Sequence, residues 1–478
     1  MAIPKDILAI ERPSSTVVRK TGNIYYVIKR TSVYKNGKSI PKDLGTVGKI
    51  INGVYVPLNK NEDSKKIKSD EVTIKDYGEI ALCNLFSEDI LKELNDVYDD
   101  KTSKTLLTIA LLRSAYGNIT DRDLKFQYDT SFLSELYPGI ALSEASVCNF
   151  LETIGKAYTR IINFMKNRVS KLNCNSRCVL DGTLKDNNSE TNSFSEFSRK
   201  GRTKGSKDLS LLYLYDLNAC EPVCSHVYQG NMLDLTSFDD FVDKFSIKDG
   251  LIVLDKGFYN KETLERIIKK GSINYILPLK KSSKVIVDNN ADKGYDGILD
   301  YKDKIIHFKK TKIDDFKYLY SFKDDTIASV EQLAYIKKNN KKGTFSETKL
   351  EKEKCKFGLI VFESNADKNP LNVYMAYEKR WEIELMFQFY KNIVSLNTVR
   401  VQTDYRVYAT EFINFISTLI SCKVRNKFNE LKLSEKYSYK QIMLYLSKIK
   451  KYKVSDTKWK TTKLLKYTEE LAKKLSIV

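Results

Sequence analysis

At 478 residues the chain is about three times the length of a ~150-residue domain, so two to four structural units are expected. Its 42% hydrophobic content is enough for a substantial buried core and excludes disorder as the dominant state. Eighty-one basic against 61 acidic residues give a net charge of +20 and a pI near 9.2, which favours a polyanionic partner, either nucleic acid or an anionic membrane surface.

The opening MAIPKDILAI lacks the basic stretch and apolar run of a signal peptide. The most apolar late segment, Phe412 to Cys422, is too short to span a bilayer and contains Asn414, Ser417 and Thr418. Eight cysteines in a chain of this length do not make a disulfide scaffold. The expectation is a cytoplasmic protein with no membrane partner.

Residues 23–58 alternate as strands do, through Ile24, Tyr26 and Ile28 and from Gly45 to Val56, with turns expected at Asn36-Gly37 and Asn52-Gly53. NKNEDSKKIKSDE, 59–71, reads as a solvated linker. From about 87 to 172 the pattern is helical. Leu106, Leu107, Ile109, Ala110 and Leu112 build one apolar helix that Gly117 closes, Thr120 to Asp123 resembles an N-cap with an acidic first turn, and Ser143-Glu144 opens a further helix. Two readings of this region stay open, a DNA-binding helix-turn-helix and a plain helical bundle.

After Cys178 short apolar runs of strand length follow one another: Val179-Leu180, Leu209 to Tyr215, Val223 to Tyr228, Leu251 to Leu254 and Ile273 to Leu279. Helical spacing at 234–246 and 260–270 lies between the later ones, which predicts a mixed α/β sheet. The stretch 281–372 is too long for a structureless loop and reads as a β-rich insertion, with strands at Ile305 to Phe308, Tyr318 to Phe322 and Phe357 to Phe362. A continuous helix from about 375 to 393, a second around 405–427 and a Lys-rich helical tail complete the chain.

Two aspartates end apolar strands, Asp181 in CVLDGT and Asp255 in LIVLDKGF. Open α/β sheets present ligand groups at such strand ends, although Asp before Gly is also ordinary turn chemistry. In YEKRWEIELMFQFYK, the residues Tyr377, Arg380, Glu384 and Lys391 stand at offsets of 0, 3, 7 and 14. On one helix at about 100° per residue they share an arc of about 60°, putting a hydroxyl, a carboxylate and two cations on one stripe. The bland alternative is a solvated stripe with a weak Glu384–Arg380 pair. Three carboxylates from two strand ends and one helix are what a pair of Mg2+ ions requires for in-line phosphodiester cleavage, while nearby cations hold the phosphates.

These residues resemble a family, the bacterial insertion-sequence transposases of the DDE type with the YREK signature (the insertion-sequence-four-like group). Tyr377, Arg380, Glu384 and Lys391 match the signature at every spacing, with Trp381 and Glu382 in the usual surroundings. Gly205-Ser206-Lys207-Asp208 resembles the family's G-x-S-K-D-like segment, PVCSHVYQGNMLD from Pro222 to Asp234 the stretch after the second core strand, and LDKGFYN the block around the second aspartate. The resemblance covers about 100–425.

What the resemblance implies is an α/β fold: a ribonuclease H-like mixed-sheet core interrupted by a β-rich insertion, with an N-terminal β-hairpin region and helical flanking domains. The expected boundaries are 1–70 for the hairpin region, 71–175 for a helical DNA-binding domain, 176–280 and 373–428 for the two parts of the core, 281–372 for the insertion and 429–478 for a basic helical tail. Asp181, Asp255 and Glu384 would be the catalytic and metal-binding triad for two Mg2+ ions, with Mn2+ able to substitute. Tyr377, Arg380 and Lys391 would contact DNA near the scissile phosphate. Asp186, five residues after Asp181, is the fallback for the first acid, and Lys256 is read either as a further phosphate contact or as a plain surface lysine. The implied activity is binding of terminal inverted repeats, end cleavage and strand transfer by a homodimer on double-stranded transposon and target DNA.

Two rival functions remain, a catalytically inactive DNA-binding repressor and a structure-selective nuclease with the same core. The pairs Cys174/Cys178 and Cys220/Cys224 have a spacing that structural zinc tolerates, but Cys178 and Cys224 fall on expected strands, where buried thiols are common. His226 and His307 are far apart and carry no motif, and no phosphate-binding G-x-x-x-x-G-K-[ST] is present.

Overall fold

A computed structural model describes residues 3–35, 38–58, 72–117, 119–197, 206–232, 234–255, 273–392, 398–455 and 457–477. The expected turn at Asn36-Gly37, the linker 59–71, Gly205, Lys256 and the helical stretch 260–270 lie outside these residues. The chain divides into two compact units: Met1–Thr73 with Lys453–Lys458, and Ile74–Tyr452 with Trp459–Val478.

In the first unit β1 (Thr16–Thr21), β2 (Ile24–Lys35), β3 (Lys38–Ile51) and β4 (Val54–Pro57) form an antiparallel sheet in that order. Asn52 and Gly53 both have positive φ, 50° and 77°, the backbone that a two-residue hairpin turn between twisted strands demands. A small core of Val18, Val27 and Ile50 is packed by Ile3, Ile7, Ile10, Tyr25, Val47 and Tyr55.

The second unit opens with helices, among them α1 (Asp100–Tyr116), α2 (Glu144–Lys156) and α3 (Tyr158–Val169). Asp99 caps α1 by accepting from the Thr102 N–H at 3.0 Å, and Gly117, at φ 75°, ends it. Ser143 caps α2. The expected cap at Thr120 is displaced: the next helix starts at Leu124, and Thr120 Oγ1 instead donates to Asp123 at 2.6 Å. These helices pack as a bundle, α1 and α2 lying against a long C-terminal helix described below.

The core sheet contains β5 (Arg177–Asp186), β6 (Lys207–Asp216), β7 (Glu221–Gln229), β8 (Gly250–Val253) and β9 (Ile273–Pro278), in the order β7-β6-β5-β8-β9. The first three form an antiparallel meander, while β5, β8 and β9 run parallel, helix α4 (Asp234–Phe245) bridging β7 to β8. A two-residue strand, Glu196–Phe197, pairs with the start of β6.

The stretch 281–372 differs from expectation in two ways. Its strands β10 (Gly297–Tyr301), β11 (Lys304–Asp314), β12 (Lys317–Asp324) and β13 (Leu359–Ser364) continue the core sheet, because β13 pairs antiparallel with β9. Nor is it β alone: α5 (Asp325–Lys341) lies between β12 and β13, capped by Asp324. No residue of α5 is buried, so it lacks the one-sided apolar stripe by which a helix is read from sequence.

Two further corrections concern the C-terminal third. The single helix expected at about 375–393 is two, α6 (Pro370–Lys379) and α7 (Trp381–Asn392), and the expected helical tail contains a small hairpin, Lys450–Val454 with Lys460–Thr461. Between the latter two regions α8 (Asp404–Glu430) runs through the interior and buries Phe412, Ile413, Phe415, Ile416, Leu419 and Ile420. The apolar segment that was too short to span a bilayer is thus the spine of the core. Among the described residues no helix is long and apolar enough to cross a membrane.

Candidate active site

The site lies where β8 stops beside β5. Val253 pairs with Val179 in parallel register, so two residues further on the chain brings Asp255 level with Asp181. β5 continues past that point because it also pairs with β6, from Cys178 opposite Asp216 to Asp186 opposite Asp208. Side chains alternate along a strand, so Asp181, Thr183 and Lys185 share one face. That face is covered by α7, whose Tyr390 hydroxyl lies 3.4 Å from Lys185 Nζ and whose Phe387 meets Tyr213 of β6 edge-on at 5.8 Å.

Arg380 is the joint between α6 and α7. Its N–H bonds to the Tyr377 carbonyl at 3.0 Å and its carbonyl accepts from Ile383 at 3.2 Å, both spanning three residues, which is a tightened turn. From there the guanidinium reaches Asp255 at 3.5 Å and Asp181 at 3.8 Å. Tyr377 stacks obliquely on Phe362 with ring centres 4.5 Å apart and lies 5.6 Å beneath the guanidinium.

The Asp181 side chain is only 15% exposed, against 45% for Asp255. Burial drives its carboxyl up to about 7; the Glu384 and Asp255 carboxylates add to the rise, while the Gly182 N–H, 2.8 Å from Oδ1, and Arg380 oppose it. The charges of Glu384 and Asp255 thus both act on Asp181. Lys391, two helical turns beyond Glu384 on α7, acts on Asp208, which pairs across the sheet with Asp186. The break at Arg380 puts Tyr377 on α6 and leaves Glu384 and Lys391 together on α7, seven residues apart. Arg380 reaches both aspartates with Tyr377 beneath it and Glu384 acts on Asp181, while Lys391, further along α7, acts on Asp208. Asp181 itself lies within β5, which runs on to Asp186, and not at a strand end as expected. Asp186, at the end of β5, also acts on Asp208, and its carbonyl accepts from Val399 at 2.8 Å. Lys256 lies outside the described residues.

The donor set is hard carboxylate oxygen with a surplus of negative charge on a buried member, which suits a divalent cation that takes oxygen ligands. Among the described residues no three ligating side chains converge on one point; the positive charge between the two aspartates is Arg380. The four cysteines of the possible zinc pairs likewise form no metal-ligating group among the described residues. Burial pushes the Cys178 and Cys224 thiols up. His226 is buried against Tyr158, whose hydroxyl is 3.2 Å from Nε2, and His307 pairs with Asp325 at 3.2 Å.

Sequence reasoning missed a polar network directly beneath the site. Lys185 Nζ meets Glu411 Oε1 at 2.5 Å, Tyr390 donates to Glu411 Oε2 at 2.9 Å, Asn414 donates to Glu411 Oε1 at 3.2 Å, and Arg113 of α1 donates to Asn414 at 2.8 Å. Two signals pointed there: Lys185 shares the face of Asp181, and Glu411 is the one charge at the head of an apolar run.

A family model described as Transposase DDE domain matches residues 173–420, from just before β5 to within α8, and so spans all three carboxylates. Among solved structures, a cryo-EM structure of the piggyBac transposase synaptic complex with hairpin DNA is similar at 12% identity. That likeness covers 78% of this chain and 79% of that one, with a TM-score of 0.40. No curated protein matches the sequence.

Proposed function

This chain belongs to the transposase DDE domain family, and on that premise we propose that it is the transposase of a bacterial insertion sequence of the group with the YREK signature. It binds the terminal inverted repeats of its element, cuts the ends and joins them to target DNA. The observation that carries this reading is the meeting of Asp181 and Asp255 in the middle of the sheet, where β8 ends beside β5, with Arg380 between them and Glu384 acting on Asp181. The strand order β7-β6-β5-β8-β9, with one acid in the central strand and the next at the end of its parallel neighbour, supports a ribonuclease H-like core.

In this proposal Asp181, Asp255 and Glu384 hold two Mg2+ ions, with Mn2+ able to replace them. Bound there, the ions would activate the attacking oxygen and stabilise the leaving one. The rest of the work falls to side chains. Arg380, a planar fork of donors suited to phosphate, trades a carboxylate contact for the scissile phosphate when DNA binds. Tyr377 offers its hydroxyl beside it. Lys391, two turns along α7 (roughly 10 Å), and Lys256, after the second aspartate, neutralise phosphates further along the strand. Two copies of the chain bring two ends together in the cytoplasm on double-stranded DNA.

The test is end cleavage and strand transfer with the element's own inverted-repeat duplex. Glu384→Gln is expected to abolish Mg2+-dependent cleavage and leave duplex binding within about threefold; unchanged cleavage would remove Glu384 from the site. Pre-cut ends joined to target DNA identify a transposase, whereas hydrolysis without joining identifies a nuclease.

A further inference from the structure

We propose that the ribbon of β2 and β3 in the N-terminal unit is a binding arm for duplex DNA that lies in the major groove. The proposal takes its ligand from the transposase reading, but the ribbon lies outside residues 173–420 and uses none of the carboxylate site.

The two strands are 12 and 14 residues long and pair from Tyr25 opposite Ile50 to Lys35 opposite Lys38. Register shifts between Val27 and Ile28 and between Lys29 and Arg30 leave Arg30 to Lys35 in one register with Asp43 to Lys38. Only the base of this ribbon is built into a sheet. β1 pairs with β2 no further than Lys29, and β4 pairs with β3 only from Gly48 to Ile51. Beyond Lys29 and Gly45 the strands pair with each other, the one further backbone bond among the described residues being from the Arg30 N–H to the Ser15 carbonyl at 2.8 Å, and residues 31–34 and 38–46 are exposed throughout. At about 3.4 Å per residue the free ribbon is about 20 Å long. A two-stranded hairpin wet on both faces is marginal in water, so a partner surface completes its order.

The chemistry of that surface selects the partner. Between Thr16 and Pro57 there are eight lysines and arginines and one acid, Asp43. Asp43 is already taken by Arg19 and Arg30, each at 2.7 Å. Lys29, Lys38 and Lys42 are exposed, and among the described residues none of them meets a carboxylate. Lys38, Ile40 and Lys42 alternate on one face of β3, opposite Val33 and Thr31 of β2, while Tyr34, 78% exposed, projects from the other face. Cations for phosphates, flanking apolar and hydroxyl groups for base edges, and a two-stranded width match the major groove, about 12 Å across, which admits such a ribbon.

The experiment titrates the full chain into a labelled random-sequence duplex of about 30 base pairs, followed by fluorescence anisotropy from about 50 to about 200 mM salt. Lys29→Gln/Lys38→Gln/Lys42→Gln is expected to weaken binding at least about tenfold at low salt and to flatten the log–log salt slope by about 2 to 3. Tyr34→Ala is expected to lose affinity with the slope unchanged. All four positions are exposed, and an unshifted thermal midpoint shows that the variants fold. If wild type binds and the triple variant matches it in affinity and slope, the ribbon proposal falls while the transposase reading stands. If wild type binds no duplex at any salt, both fall. If the triple variant alters self-association in sedimentation but not DNA affinity, the ribbon is a contact between copies of the chain and the proposal is overturned.

Discussion

Lys185 and Glu411 form an ion pair of 2.5 Å in the interior, with side chains 1% and 5% exposed, joining strand β5 to helix α8 from positions 226 residues apart. Tyr390 and Asn414 satisfy the rest of the Glu411 carboxylate, so the pair ties β5, α7 and α8 together four residues from Asp181. Burial lowers the Lys185 pKa and Glu411 works against that. Breaking such a pair from one side leaves a lone buried charge. Lys185→Met or Glu411→Leu alone is expected to cost about 3–5 kcal/mol in urea unfolding, and Lys185→Met/Glu411→Leu together much less than the sum. Additive losses would show that the two charges do not act as a pair.

A divalent cation that uses the carboxylates should stabilise the fold. With Mg2+ at about one hundred times its dissociation constant the gain is about 2.7 kcal/mol, read as a raised thermal midpoint. Asp181→Asn is expected to remove that response, and in metal-free buffer to melt higher than wild type, because a buried carboxyl crowded by Asp255 and Glu384 is lost. Arg380→Gln should keep the response and shift it to lower Mg2+, since a competing positive charge 3.5 Å from Asp255 is gone. An Asp181→Asn protein that still gains from Mg2+ as wild type does would place the cation elsewhere.

The aspartates stood out because each ends a run of apolar residues, although only Asp255 follows the end of its strand, Asp181 being carried inside β5 by the pairing of Gly182 to Asp186 with β6. The break at Arg380 did not. YEKRWEIE contains neither Pro nor Gly, and the tightened turn coincides with contacts to two aspartates from distant strands. The joint interrupts the helical phase between Tyr377 and Glu384, whereas Glu384 and Lys391 keep theirs along α7. Helix α5 was hidden for another reason: Val330 and Leu333 are exposed, so its apolar residues keep no helical period. The Lys185–Glu411 pair is invisible to any local window, since each residue alone reads as an ordinary charge beside apolar neighbours.

Gly155 shows how closely α2 is seated on α8. A Cβ at this position would stand 1.8 Å from the Tyr405 carbonyl oxygen and 2.3 Å from its carbon, both backbone atoms that no rotamer change can move. Gly155→Ala is thus expected to destabilise by about 2–3 kcal/mol, against the gain of up to about 1 kcal/mol that Ala brings in an open helix. Equal or higher stability in urea would mean that α2 can slide on α8 without cost.

His226 makes the fold acid-sensitive. Burial, with Lys244 nearby, holds its imidazole down to about 3. Tyr158, Tyr228 and Tyr408 surround the ring, and among the described residues no carboxylate contacts it. In the unfolded chain the ring takes a proton near pH 6.5, whereas the folded protein refuses it until about 3, so the unfolded state binds more protons throughout that window. The stability that depends on a neutral ring is complete above about pH 6.5 and drains away as the pH falls, by about 2 kcal/mol at pH 5. His226→Phe keeps an aromatic ring in the cluster but gives up the Tyr158 hydrogen bond, a loss of about 1 kcal/mol at neutral pH. It should flatten the acid limb, so that the variant equals or exceeds wild type in urea stability at pH 5. Parallel pH profiles for the two proteins would assign the acid sensitivity to other groups.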